Sequence, residues 1–344
     1  MQKARAKGLF DEEFRQNKIA TKDPLVILST KINWEQFRKP LVESFPETDK
    51  SKGGRPAYDR LLMFKILILQ EYFGLSDDQI EFQLLDRLSF QKFIGQGLQD
   101  DVPDAKTIWL YRDNLTQAGV IDKLFLQVNK QLESQGLIMK KGSMVDASFA
   151  KVPIQRNTPD ENEQLKNGET PDWDENKMRQ KDTDADWTMK SGQSHYGYKQ
   201  HIKADVGSKL ITNFEVTPAS VHDSQVLDEL LQETDTGKPL FADSAYYSEE
   251  RIENLKSKGI KPKILTKGYR YKQLTEKDHI RNRKLSSTRC RVEHIFGWMK
   301  QKAGPMVRAI GITRVTAKLT LRIICYNLSR AVFLIKNKKK IAYI

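Results

Sequence analysis

The sequence predicts an α/β fold, a mixed sheet with flanking helices preceded by a mostly helical N-terminal domain. Three observations predict it. Apolar residues recur with helical spacing between residues 58 and 136, alternation of period two starts at Gly142 and returns over residues 195–217, and short apolar strands then alternate with helices as far as residue 266. At 344 residues, with 38% hydrophobic and 9% aromatic content, the chain is long enough for about two domains with cores of their own.

Residues 24–44 have a mixed, helical pattern and end before a polar linker, PETDKSKGGRPA, at 46–57. From Tyr58 to Phe73 the chain is apolar on nearly every face, which predicts a buried helix. Gly74, Leu75 and Ser76 end it, and Ser76 with Gln79 three residues on is a capping box for a second helix. Asp104 caps a third helix that runs to Gly119. Two helices joined by a short glycine turn, then one carrying Lys106, Trp109, Tyr111 and Arg112, are compatible with a DNA-binding helix-turn-helix; helical hairpins also occur in proteins that bind nothing. The expected division is a helical DNA-binding domain at 1–120, a linking helix at 121–140, a sheet domain at 141–335 and a basic tail at 336–344.

Within the sheet domain, Gly142 to Ala150 alternates as a strand with Asp146 in its middle. Residues about 155–192 are polar with acidic groups in excess, an excursion expected to act as a cover or partner contact and to be a poor DNA surface by itself. The segments HYGYKQHIKADV and KLITNFEVT form a hairpin around Gly207 and Ser208. A helix from about Ser224 to Glu233, the strand PLFAD ending at Asp243, a helix from Glu249 to Lys258 and the strand KPKILT follow.

The N-terminal positive charges are followed by no apolar segment, so no secretory signal is expected. The longest apolar stretch, Leu319 to Ile335, is interrupted by Arg322, Asn327 and Arg330, which a membrane span would not accept. Cys290 and Cys325 are too few for a disulfide framework or a four-cysteine zinc site. These features predict a cytoplasmic protein. The net charge of +13 is unevenly placed: residues 251–344 carry 25 basic and 4 acidic residues, the first 250 carry 33 and 41, and no acid follows Glu293. So one-sided an excess points to a polyanion partner, nucleic acid first.

Asp146 lies in the first strand and Asp243 closes the fourth, where open sheets place their sites. In the run RCRVEHIFGWMK, Val292, Ile295, Phe296 and Met299 make an apolar helix face, and Arg289, Glu293 and Lys300 form a stripe along its edge. Taken singly, Asp243 reads as a cap, and Arg289 with Glu293 as a surface ion pair worth about 0.3–0.5 kcal/mol. Together the three carboxylates are a cradle for two Mg²⁺ ions about 3.5–4 Å apart acting on a phosphodiester, with Arg289 and Lys300 outside the metal shell to hold DNA backbone.

The ordered set of motifs resembles the DDE transposases of bacterial insertion sequences, in particular the insertion sequence 5 group. It is carried by GRPAYDRLLMFKILILQEYFGLSDDQIEFQLLDRLSFQKFIG, PDAKTIWLYRDNL, VDAS, QKDTDADWTMKSGQSHYGYKQH, VTPASVHDS, FADSAYYS and RCRVEHIFGWMK. The resemblance implies a ribonuclease H-like sheet domain whose catalytic and metal-binding residues are Asp146, Asp243 and Glu293. Their cofactor is Mg²⁺, with Mn²⁺ able to substitute. The family's Y-R-E-K signature maps onto Arg289, Glu293 and Lys300, with Ser286 standing where the family has tyrosine. Arg289, Lys300, Arg291, Lys106 and Arg112 are the candidate DNA contacts. His222 and Asp223 stand near the active site in the family, although Asp223 alone reads as a helix cap. The implied partners are double-stranded DNA at terminal inverted repeats, target DNA and at least one second copy of the chain, in the bacterial cytoplasm and nucleoid. A nuclease without strand transfer and a DNA-binding protein that has lost catalysis are the rival readings. Asp205 and Glu215 are spare carboxylates; His294 reads as structural, and of Lys199 and His201 one is expected packed and the other exposed.

Overall fold

The computed structural model describes residues 23–45, 56–97, 99–190, 192–269 and 273–337, so most of the expected linker and basic tail lie outside them. Helices α1 (Pro24–Lys31), α2 (Arg38–Glu43), α3 (Arg60–Phe73), α4 (Asp77–Asp86), α5 (Leu88–Ile94), α6 (Ala105–Gln117) and α7 (Ile121–Ser134) precede the sheet. The expected caps form: the Ser76 and Gln79 side chains bond reciprocally, and Asp104 accepts from the Thr107 amide. Helix α5 was not legible in the sequence; extended backbone at Arg87 separates it from α4. Helix α3 is apolar all round because it is covered on several sides, by α4 to α6 and by the last helix, α14 (Ile312–Lys336).

Among the described residues, six strands form one sheet: β1 (Ser143–Lys151), β2 (Asp186–Lys190), β3 (Gln193–Asp205), β4 (Ile211–Pro218), β5 (Pro239–Ala242) and β6 (Lys261–Ile264). β3 runs antiparallel to β1 on one side and to β2 and β4 on the other; β5 and β6 continue from β1 in parallel. Three antiparallel strands followed by two parallel ones, in the order β4-β3-β1-β5-β6, make the ribonuclease H-like arrangement. The polar excursion departs from expectation. It holds α8 (Pro159–Lys166), α9 (Glu175–Met178) and β2, which extends the sheet along the N-terminal part of β3 and makes PLFAD the fifth strand. Short elements follow β4: a 3₁₀ turn and α10 (Leu227–Leu230) replace the expected longer helix, and α11 (Glu249–Ser257) links β5 to β6.

One buried cluster joins α1, α3, α6 and α7 to α14 and to Met144 and Ile202 of the sheet; a second, including Val145, Leu240 and Leu255, lies on the opposite face. The polar interruptions of α14 each have a partner. Arg322 pairs with Glu71 at 3.3 Å, Arg330 donates to the Ser208 carbonyl at 2.7 Å, and Asn327 both accepts from and donates to the Ile211 backbone. No described helix is long and apolar enough to cross a membrane.

Gly74, at φ +68°, ends α3 against another chain segment: a Cβ there would lie 2.0 Å from the Lys302 carbonyl oxygen. Gly119 has a similar φ of +61° but open space around it. Gly74→Ala is therefore expected to lower stability by at least about 2 kcal/mol and Gly119→Ala by about 1 kcal/mol. Urea unfolding checks the pair, and equal losses would show that the Lys302 segment yields at no cost.

Candidate active site

β1 and β5 pair in parallel with Ser143 opposite Leu240 and Met144 opposite Phe241. The same register carried forward sets Asp146 level with Asp243, which follows the last residue of β5, on strands about 4.8 Å apart. Met144 and Phe241 contribute to the cluster that also contains Val292, Ile295, Phe296 and Met299. By the two-residue alternation Asp146 faces the same side, beneath the helical segment that bears Glu293.

That segment is not one helix. α12 (Glu276–Arg289) and α13 (Glu293–Ala303) are joined by a 3₁₀ turn at Cys290–Val292. The expected apolar face is buried, and the turn keeps Arg289 beside Glu293. The guanidinium donates to Glu293 Oε1 at 2.6 Å and to Asp146 Oδ2 at 2.9 Å. Arg289 was expected outside the carboxylate group, free for DNA; it lies inside, 18% exposed, as the cation between two acids. The interior of the fold attracts it: Asp146 is a carboxylate with little water access, and the guanidinium is the counter-charge within reach. Glu293 is 59% exposed at its side chain.

Asp146 is unusual electrostatically. Burial pushes its pKa up to about 6, with the Asp243 charge adding to the rise while the Ala147 amide and Arg289 oppose it. Asp243 caps the following turn by accepting from the Ser244 amide at 2.6 Å. Among the described residues no three His, Cys, Asp or Glu side chains are close enough together to share an ion. Glu293 Oε1 accepts from Arg289 instead. The donor chemistry nevertheless suits a hard divalent cation: two level carboxylates, one of them raised in pKa by burial and then by the other's charge, and already bonded to a cation.

Sequence reasoning passed over Tyr246. Its side chain is 1% exposed, its hydroxyl has no hydrogen-bond partner among the described residues, and burial, followed by the charges of Asp223, Asp146 and Asp243, holds the phenol well above its usual pKa. The only signal in the sequence was a tyrosine three residues after Asp243. Asp223 is also better placed than its reading as a cap: His222 caps the turn, accepting from the Ser224 amide, while Asp223 lies 3.0 Å from the Lys199 ammonium. Lys199 and His201 share a face of β3 and both are buried, which corrects the expected packed and exposed pair. His201 contacts Thr217 Oγ1 at 3.0 Å, and burial pushes its pKa down to about 4.

The remaining candidates scatter. Arg112 forms a two-pronged ion pair with Asp77 and bonds Gln70, a bracing contact inside the helical layer. Lys106, Arg291 and Lys300 are exposed, as is His294. Asp205 is spent on the hairpin turn, accepting from the Ser208 amide and hydroxyl. Ser286 sits partly buried in α12, and its carbonyl accepts from the Cys290 amide.

Paired carboxylates on adjacent parallel strands of this sheet, facing a helix that bears a glutamate, define a ribonuclease H-like protein of the DDE class. The family model described as Transposase DDE domain matches residues 138–328, and Transposase domain (DUF772) matches residues 13–114. The transposase for insertion sequence element IS1106 of Neisseria meningitidis serogroup B is 33% identical over 228 residues, covering 64% of this chain and 76% of that protein. A cryo-EM structure of a piggyBac transposase synaptic complex with hairpin DNA aligns over 92% of this chain and 76% of its own, at 14% identity and a TM-score of 0.43. The chain belongs to the DDE transposases of bacterial insertion sequences.

Proposed function

We propose that the protein cuts DNA at the terminal inverted repeats of its element and joins the freed 3′ ends to target DNA. The observation that carries this reading is the level pair Asp146 and Asp243 with Arg289 drawn between Asp146 and Glu293. Asp146, Asp243 and Glu293 would hold two Mg²⁺ ions, for which Mn²⁺ can substitute. When bound, such ions supply positive charge to the phosphodiester and ease loss of a proton from the attacking water or 3′-hydroxyl.

The chain's own groups do the positioning. Arg289 must release Asp146 for that carboxylate to accept another cation, and its N–H groups then become donors for a phosphate oxygen. Lys300, Arg291 and Lys106 are exposed and can add phosphate contacts. Lys199, held by the Val221 carbonyl at 2.6 Å and lying against Asp223, fixes the wall beside the site. Residues 1–120 supply DNA binding, 121–140 link them to the catalytic domain at 141–335, and two ends brought together require at least a dimer. The enzyme acts in the bacterial cytoplasm, on the nucleoid.

The test is an end-cleavage and joining assay on a labelled duplex from the inverted repeats flanking the gene. Cleavage in Mg²⁺ and none in chelator is expected, with Asp243→Asn and Glu293→Gln each reducing it on the order of 10²–10³-fold. Unchanged cleavage in both variants would remove the site assignment. Cutting without joining would make the protein a nuclease, and binding without cutting under any divalent ion a DNA-binding relic.

A further inference from the structure

A second cleft, of about 940 Å³, lies away from Asp146, where residues 152–156 leave β1, residues 177–182 return toward β2, residues 308–314 enter α14 and Trp109 of α6 forms a wall. Eight lysines or arginines line it against two aspartates. The aspartates are both engaged: Asp182 is buried and accepts from the Tyr198 hydroxyl at 2.6 Å, and Asp113 accepts from Arg314 at 2.7 Å. The side chains of Arg156 and Arg308 are exposed, and their guanidinium groups bond no described residue; only the Arg156 carbonyl is engaged, accepting from the Lys181 ammonium at 2.9 Å. The net acidity of the excursion hides this surface, because Lys177 and Arg179 line the cleft while their partners, Glu161 and Glu175, lie outside its wall.

The position of the cleft relative to the carboxylates is informative. Asp146, Ser148, Ala150 and Val152 project to one face of β1 by alternation, and Val152 lines the cleft. Six residues at ~3.3 Å each put the cleft about 20 Å from Asp146. Lys300 lies on the way, beside Ser148 and Ala150. At about 3.4 Å per base pair, 20 Å is about six base pairs.

We propose that this cleft grips the phosphate backbone of the element-end duplex about six base pairs in from the cleaved phosphodiester, with Arg156 and Arg308 as its free contacts. The inference rests on the transposase reading above. The element end is favoured over target DNA because α6 forms a wall and brings exposed Trp109 to the duplex, and the end is the DNA that must be held in one register. Unpaired guanidiniums at the mouth cost nothing to redirect, whereas Arg314 and Lys177 would have to break ion pairs first.

The test uses the full chain with a fluorescent element-end duplex and the double variant Arg156→Ala/Arg308→Ala, with melting temperature as the folding control. Loss of about tenfold or more in end affinity is expected, with a salt dependence shallower by about two phosphate contacts. Phosphate ethylation about six base pairs from the cut should interfere with binding of the wild type and not of the variant. Unchanged affinity and salt slope would overturn the cleft while wild-type end cleavage keeps the transposase reading standing. A variant that binds and cuts ends normally but fails to join them to target would also overturn it, since the cleft would then serve target DNA. A wild type that neither binds nor cuts end duplexes would remove both readings.

Discussion

Asp146→Asn is expected to abolish end cleavage and, in chelator at pH 7.5, to make the protein more stable than the wild type. The loss of cleavage, on the order of 10²–10³-fold, follows from removing a carboxylate placed for charge stabilisation at the reacting phosphate. The gain in stability follows from the folded-state pKa of about 6, raised by burial from the ordinary carboxyl value of 3.8. A raised folded pKa means that the stability carried by the protonated carboxyl is fully present below about pH 4 and is lost as pH rises through about 6. Two units correspond to at most about 3 kcal/mol at neutral pH. The side chain is 17% exposed, so most of that cost is felt. The opposing pull of Arg289 is already contained in that net rise, and Arg289 keeps Glu293 as a partner in the variant; discounted for solvent screening, the expected gain is about 1–2 kcal/mol. Thermal melts at pH 7.5 and pH 4 check it: the variant should melt a few degrees higher at pH 7.5, and the difference should vanish at pH 4. A variant that melts lower at pH 7.5 would show that the Arg289 contact outweighs the burial of Asp146.

Asp235→Ala is expected to be the most damaging substitution away from the site. Lys203 is 1% exposed, and its ammonium bonds Asp235 Oδ2 at 2.6 Å and Gln232 Oε1 at 2.9 Å. Asp235 also accepts from the Ser143 hydroxyl and the Gln232 amide, tying the beginning of β1 to the segment before β5. Burial pulls the Lys203 pKa down and Asp235 holds it up, so the partnership keeps the ammonium charged inside the fold. Removing the carboxylate strands that charge and should cost about 3–5 kcal/mol, seen as a fall in melting temperature of roughly 5–15 °C. The double variant Lys203→Met/Asp235→Leu removes both charges at similar volume and should recover most of the loss. A double variant as unstable as the single one would show that shape and hydrogen bonds at Ser143, not the stranded charge, set the cost.

These two sites also mark how far the sequence could be read. Asp146 was legible because an acid in the middle of an alternating apolar strand is chemically conspicuous. Asp235 was not, because nothing near it in the chain distinguishes an exposed acid in ETDTG from one that neutralises a lysine 32 residues earlier. The same limit concealed β2. Its residues, DWTMK, are mostly exposed on the edge of β3, so they carry no apolar alternation from which to be recognised.

What the sequence by itself determined is the chemistry that neighbouring residues settle among themselves. The caps at Ser76 and Asp104, the apolar face through Val292, Ile295, Phe296 and Met299, and a strand ending just before Asp243 all depend on spacing within a few residues. Only the tertiary structure decided where the charges went. Arg289 lies 143 residues from Asp146 in the chain, Arg322 lies 251 from Glu71, and Asn327 lies 116 from the strand backbone it completes. Each of these side chains reads locally as a solvated group or as a flaw in an apolar run. Burial changes its meaning, because a charge or amide taken out of water must find a counterpart, and the counterpart is fixed by which segments the folded core brings together.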